Sequence, residues 1–159
     1  MDDYLVNKVS KINIFQLNKV RYILHLAGKD MSAKYGLNHW NNSFFKDCII
    51  IILCCLKNEI YIVRNQENVI VATFQIHLIN EDLCFEKLAT HPLLLGKGIG
   101  SFCINEIETI AKNKKCKNVI CEVFDKSQHA IDFYQNKGYS IYDTIDTLKY
   151  KEYKMKKEL

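Results

Sequence analysis

A chain of 159 residues, 48% hydrophobic and 25% charged, has the balance of a globular protein and the length for one self-sufficient core. Its formal charge of +4 is mild, and much of the excess lies in two lysine clusters, Lys112–Lys117 and Lys149–Lys157, which argues only weakly for nucleic acid, and no nucleic-acid partner is expected. The most apolar run, Cys48–Leu56, is far shorter than the ~20 residues of a membrane helix, and Met1-Asp2-Asp3 opens without a basic or apolar leader pattern. Seven cysteines, odd in number and without a Cys-x-x-Cys pair, suit buried thiols in a reducing cytoplasm rather than disulfides or zinc. His25, His77, His91 and His129 have no metal-like spacing, so no metal is expected.

In chain order, Tyr4–Ser10 reads as a first strand. From Asn13, apolar residues at Ile14, Leu17, Val20, Leu24 and Ala27 recur at helical spacing, and Gly28 is the expected stop. Lys29–Asn42 has no clear period, and Ser43–Leu56 reads as a second helix, although its isoleucines also suit a strand. Ile60–Arg64 and Val69–Leu78 form a hairpin across Asn65-Gln66-Glu67-Asn68, followed by a strand at Leu83–Thr90. Ile99, Cys103, Ile107 and Ala111 give the next helix an i, i+4 apolar stripe. Asn118–Phe124 is a short apolar run suited to a buried strand. Gln128–Tyr139 follows as a helix of about three turns, with Asp125, Lys126 and Ser127 as capping candidates and Gly138 as its stop. Tyr139–Thr144 and Leu148–Met155 read as closing strands. With no repeat, no linker and one proline, residues 1–159 are expected to form a single domain.

The most informative stretch is Leu88-Ala89-Thr90-His91-Pro92-Leu93-Leu94-Leu95-Gly96-Lys97-Gly98-Ile99-Gly100. It reads as a strand that turns at a proline and passes through three alternating glycines into a helix. A glycine loop feeding a helix N-terminus presents unpaired N–H groups and partial positive charge, with no Cβ to block close approach: a phosphate cradle. Its spacing fits neither a dinucleotide fingerprint, since the third position after Gly98 is Ser101, nor a P-loop, since Lys97 is followed by glycine.

The stretch resembles the coenzyme A loop of the GCN5-related N-acetyltransferases, Arg/Gln-x-x-Gly-x-Gly/Ala after a strand ending Leu-Ala-Val-x-Pro. Leu88, Ala89, Pro92, Gly98 and Gly100 fall in register, with Leu95 in the Arg/Gln slot. A second family motif, Asn-x-x-Ala-x-x-Phe-Tyr-x-x-x-Gly-Phe, matches Ala130, Phe133, Tyr134, Gly138 and Tyr139, with Ser127 at the asparagine position. The resemblance is firm from about Glu59 to Tyr139. It implies a single-domain α/β (α+β) acyl-CoA N-acyltransferase fold, a mixed central sheet of about seven strands with helices on both faces. It also implies acetyl-CoA as co-substrate and direct acetyl transfer to an amine through a ternary complex. Coenzyme contacts would then fall on Leu88, Ala89, Thr90, Leu95, Gly96, Lys97, Gly98, Ile99, Gly100, Ser101, Ser127 and Ala130. In the family the strand at Leu88–Thr90 splays from the strand at Val119–Val123, and the pantetheine amides pair with its backbone.

By the same resemblance Tyr134 is the general acid at the departing sulfur; a phenol, with a reference pKa near 10, is protonated at neutral pH. For the base, period-two alternation puts Cys84, Glu86, Leu88 and Thr90 on one strand face, and Glu86 occupies a slot where family members carry an acidic or histidine side chain. Cys84, Glu122 and Glu81 are competitors. The family's acceptor region covers the first two helices and the closing strands, where Tyr35, His39 and Trp40 are candidate pocket walls. A small primary amine is the favoured acceptor. Acetylation of a protein N-terminus or lysine, and a non-catalytic coenzyme A-binding module, remain open, as does a monomer or homodimer.

Overall fold

The computed structural model describes residues 4–10, 13–38, 57–146 and 150–159. Seven strands form one mixed sheet: β1 (Leu5–Lys8), β2 (Glu59–Arg64), β3 (Ile70–Ile79), β4 (Asp82–Thr90), β5 (Asn118–Phe124), β6 (Ser140–Asp146) and β7 (Lys151–Glu158), in the order β1-β2-β3-β4-β5-β7-β6. The described helices of more than one turn are α1 (Ile14–Tyr35), α2 (Ile99–Asn113) and α3 (Gln128–Gln135). The expected helix at Ser43–Leu56 lies outside the described residues, as do Cys48, Cys54 and Cys55. Among the described residues no helix is long and apolar enough to cross a membrane. Two compact units divide the chain, 1–77 with 87–106, and 78–86 with 107–159, so β4 and α2 each contribute to both.

In the first unit, Asn13 caps α1 by accepting from the Gln16 N–H at 3.0 Å. Leu17, Val20, Ile23 and Leu24 bury one face of that helix in a cluster with Val9, Ile60, Ile62 and Ala89. Gly28 does not end the helix, contrary to the sequence expectation; it is buried in mid-helix, and the apolar face carries the chain through it. A helical glycine costs about 1 kcal/mol relative to alanine, too little to break a helix whose face is buried. The stop comes at Gly36, which adopts φ +67° and donates to the Ser32 carbonyl at 3.0 Å, while the Leu37 N–H reaches Met31 O at 3.4 Å. The β2–β3 hairpin forms where expected. Asn65 accepts from the Val69 N–H at 2.9 Å, and the Tyr61 and Phe74 rings stack at 5.1 Å across the pair.

In the second unit, the start of β4 pairs in parallel with β5, from Asp82 opposite Asn118 to Phe85 opposite Cys121. Asn118 Nδ2 donates to Asp82 Oδ1 at 2.8 Å and fixes the register. β7 runs antiparallel to β5 over its whole length and to β6 with a shift between Ile141 and Asp143. Leu83, Phe85, Ile107, Ala111, Val119, Cys121 and Met155 are buried there. Of the described cysteines, Cys84, Cys103 and Cys121 are buried free thiols, as expected, and Cys116 is half-buried.

Candidate functional site

The glycine loop belongs to the first unit and begins where β4 ends. The His91 N–H donates to Val71 O at 2.8 Å, tying the loop's first residue to β3. Pro92–Leu94 is one turn of 3-10 helix with proline at its start; His91 Nδ1 accepts from the Leu93 N–H at 3.3 Å. Leu95 is extended and 50% exposed, so the slot that carries Arg or Gln in the family motif here presents an alkyl group to solvent. Gly96 and Gly98 take φ +78° and +79°, and a Cβ built on either meets nothing within 4 Å. Glycine is therefore required at both positions by backbone conformation and not by crowding within the chain, and an open space stands over the loop.

The first backbone bond of α2 runs from the Phe102 N–H to Gly98 O at 2.9 Å, so the amides of Ile99, Gly100 and Ser101 precede the helical ladder. Tyr4 braces this first turn, its ring 5.2 Å from that of Phe102. Left-handed glycines, helix-start amides and the exposed Lys97 beside them suit a bound anion. The residues present fit the pyrophosphate of a coenzyme A, since a Cβ at Gly96 or Gly98 would stand in the open space above the loop. Among the described residues no group of three His, Cys, Asp or Glu side chains could hold a metal ion.

The second unit holds Ser127, Ala130, Tyr134 and Glu86. Ser127 is at the N-cap position of α3 and buried, but its hydroxyl makes no capping bond; its carbonyl receives the Ala130 and Ile131 amides at 2.9 and 3.1 Å. α3 is shorter than expected, ending at Gln135. Tyr134 O then accepts from both the Lys137 and Tyr139 amides, at 2.9 and 3.0 Å, and Gly138 turns the chain at φ +88°. This turn closes directly onto the peptide of Tyr134.

The Tyr134 ring is half-buried among three others, with centroids 5.3 Å from Phe133, 5.6 Å from Phe85 and 5.9 Å from Tyr139. Tyr139 is buried, and its hydroxyl lies 3.5 Å from Glu108 Oε1. Lys157 Nζ bonds both Glu108 oxygens at 2.8 and 2.9 Å, and its stem passes 3.6 Å from where a Gly138 Cβ would stand. Burial first, then the Glu108 charge, pushes the Tyr139 phenol well above its ordinary range. Nothing in the sequence signalled this Tyr139–Glu108–Lys157 group, because Glu108 lies beside the apolar stripe of α2 and Lys157 lies in a lysine-rich tail.

One argument from the sequence fails. Alternation along β4 requires extended backbone throughout, but Lys87 takes φ +52°. The count by twos is broken there, so it does not place Glu86 and Cys84 on the face of Leu88 and Thr90. A lysine at positive φ costs about 1–2 kcal/mol and leaves no mark in the sequence. Glu86 is half-buried, whereas Glu122 and Glu81 are exposed. Glu122 faces Lys154 in the β5–β7 register, and Glu81 pairs with Lys117. A carboxylate that the sequence did not single out, Glu152 on β7, is half-buried; burial, and then the charge of Glu122, raises its pKa. Tyr35 is exposed in the last turn of α1, while His39 and Trp40 lie outside the described residues.

With this geometry, the comparisons with known proteins agree. The sequence profile of the acetyltransferase (GNAT) family matches residues 23–139, and the chain belongs to that family. An uncharacterized protein of Bacillus subtilis (strain 168), YxbD, is 25% identical over 115 residues, covering 71% of this chain and 69% of its own. Among solved structures, the PaiA N-acetyltransferase of Thermoplasma acidophilum in complex with coenzyme A superposes with a TM-score of 0.80 at 16% identity, covering 99% of both chains. A GNAT family acetyltransferase of Elizabethkingia anophelis with acetyl-CoA bound gives 0.71, also at 16% identity, over 100% of both. These structural likenesses establish the acyl-CoA N-acyltransferase fold.

Proposed function

We propose that the chain is an acetyl-CoA-dependent N-acetyltransferase, a single catalytic domain over residues 1–159 that acetylates a primary amine of a small molecule by direct transfer. The observation that carries this reading is the backbone of the glycine loop: Gly96 and Gly98 at positive φ, open space above both, and helix-start amides following. The amides from Gly96 to Ser101 hold the coenzyme's pyrophosphate, with Lys97 adding charge in place of the missing Arg or Gln. Leu88, Ala89 and Thr90 supply backbone for the pantetheine arm, and Ser127 and Ala130 its further contacts. Bound acetyl-CoA supplies an acyl group activated as a thioester.

Tyr134 donates its phenolic proton at the departing sulfur; the packing of Phe85, Phe133 and Tyr139 around its ring supports that role by limiting its rotamers. Glu86 accepts the proton that the amine loses. Buried free thiols at Cys84, Cys103 and Cys121 support work in a reducing cytoplasm. The test is calorimetric titration with acetyl-CoA, followed by thiol-release assays over classes of amine. Micromolar binding with turnover on a small amine is expected. Failure to bind acetyl-CoA overturns the reading, and turnover only on peptide amines overturns the small-molecule assignment.

A further inference from the structure

The turn after α3 carries a group that neither motif accounts for. The second motif ends in Gly-Phe, whereas this chain has Gly138-Tyr139, so a hydroxyl is added where the family pattern has a plain ring. A buried phenol calls for a polar partner, and Tyr139 is buried with its hydroxyl 3.5 Å from Glu108 Oε1. That distance is long for a hydrogen bond between oxygens, so the hold is electrostatic as much as directional. Lys157 grips the same turn in two further ways. Its ammonium, bonded to both Glu108 oxygens, lies 5.9 Å from the centre of the Tyr139 ring, and its stem runs beside Gly138.

Glu108 lies on α2 and Lys157 on β7, so the pair clasps the turn from two elements. Their side chains are 14% and 30% exposed, enclosed enough that salt screens the charges little. Stability alone does not explain such a pair, because apolar side chains of similar volume are commonly as stabilising. What an ion pair adds to burial is direction. The route from it to Tyr134 is short. The Tyr139 N–H donates to Tyr134 O at 3.0 Å, and the rings of Phe85, Tyr134 and Tyr139 form a triangle with centroids 5.6, 5.9 and 6.0 Å apart. A shift of Tyr139 therefore displaces Tyr134 through its backbone and its ring together. We propose that Glu108 and Lys157 are positioning residues that, acting through Tyr139, aim the Tyr134 hydroxyl at the reacting thioester. The aim at a thioester rests on the acetyltransferase reading above; the hold on the Tyr134 ring does not.

Steady-state kinetics on Glu108→Gln and Lys157→Met, run below each variant's melting transition, test it. Both should lower kcat roughly tenfold or more, within the ~100-fold that a misplacement of about 1 Å causes, while the KM for acetyl-CoA moves less than about twofold. Lys157→Arg, which keeps the charge, should recover most of the rate. In a Tyr134→Phe background Glu108→Gln should lower the rate no further, because both changes act at one hydroxyl. Aromatic NMR spectra supply a readout apart from turnover. The ring resonances of Tyr134, assigned by their loss in Tyr134→Phe, should shift or broaden in both charge-removing variants and return in Lys157→Arg. Full kcat in either folded variant, an equal further loss on top of Tyr134→Phe, or unmoved Tyr134 resonances overturns the proposal. If Tyr134→Phe itself keeps full turnover, or no amine is acetylated, the catalytic reading fails, and the ring spectra alone decide whether the pair holds Tyr134. Should neither variant fold, Tyr139→Phe removes only the hydroxyl and must lower kcat at unchanged KM; full kcat there overturns the proposal equally.

Discussion

The glycine loop and the Tyr134 turn are both motif-bearing segments, but they are held in opposite ways. The loop is fixed by its backbone: His91 tied to Val71, two residues at positive φ, and a helix ladder that begins only at Phe102. Its glycines touch nothing, so the segment presents main-chain donors to an open space. Tyr134 is fixed by side chains, three aromatic rings around it and the Glu108–Lys157 pair behind Tyr139. The comparison teaches that a backbone site is sensitive to whether a Cβ is present and hardly to which neighbours surround it. A side-chain site depends on its whole packing shell. Each substitution below tests one side of that contrast.

The largest effect is expected at Tyr134. Tyr134→Phe keeps the ring packing and removes the hydroxyl, so turnover should fall ~100- to 10,000-fold with little change in the KM for acetyl-CoA. Steady-state kinetics with a melting curve check it. Unchanged turnover would reduce Tyr134 to a packing residue.

Next is Gly98→Val. At φ +79° a β-branched residue is strained and its bulk enters the space above the loop, so acetyl-CoA affinity should fall more than tenfold, or more than about 1.4 kcal/mol. Gly100→Ala sharpens this, since Gly100 is helical and not at positive φ. Alanine there should raise helix stability by up to about 1 kcal/mol while weakening binding. Stability and affinity moving in opposite directions would isolate the methyl's interference with the phosphates; calorimetry showing full affinity in both folded variants would remove the loop as the site.

The base comes third. Glu86→Gln should lower turnover at least tenfold in steady-state kinetics on an amine acceptor of known pKa. The exposed Glu122→Gln should stay within about twofold, the range of a surface change. Because Glu152 holds its proton above the ordinary carboxylate range, its ionised form is the one burial penalises, and it becomes a competent base only as pH rises through that raised value. If Glu152→Gln, rather than Glu86→Gln, lowers turnover, the base lies on β7.

The smallest effect is at Ser127. An N-cap serine that bonds the helix amides costs about 1 kcal/mol when replaced by alanine. Ser127 makes no such bond, so Ser127→Ala should cost less than about 0.5 kcal/mol in denaturant unfolding. A full capping loss would show that the hydroxyl serves the helix after all.

How much of this was legible beforehand varies by segment. The hairpin, the α2 stripe, the buried run at Asn118–Phe124 and the glycine loop were readable, because each is written in local spacing: period two, period four, or glycines at the mouth of a helix. The end of α1 was misplaced by eight residues, since a glycine's intrinsic cost is smaller than the burial of a continuous apolar face. By itself, then, the sequence determined the order of the described elements, the glycine loop at the mouth of α2 and the family.

Only the tertiary structure decided the left-handed Lys87 that breaks the alternation of β4, the Glu108–Lys157 pair behind Tyr139, the burial that raises the proton affinity of Glu152, and the cavity along α1. The bend at Lys87 is invisible because lysine has no preference for positive φ, and surrounding structure must impose it. The other three join residues distant in the chain or depend on what covers them. Local pattern records which face of an element is apolar; which charged groups end up enclosed together is set only when the faces close.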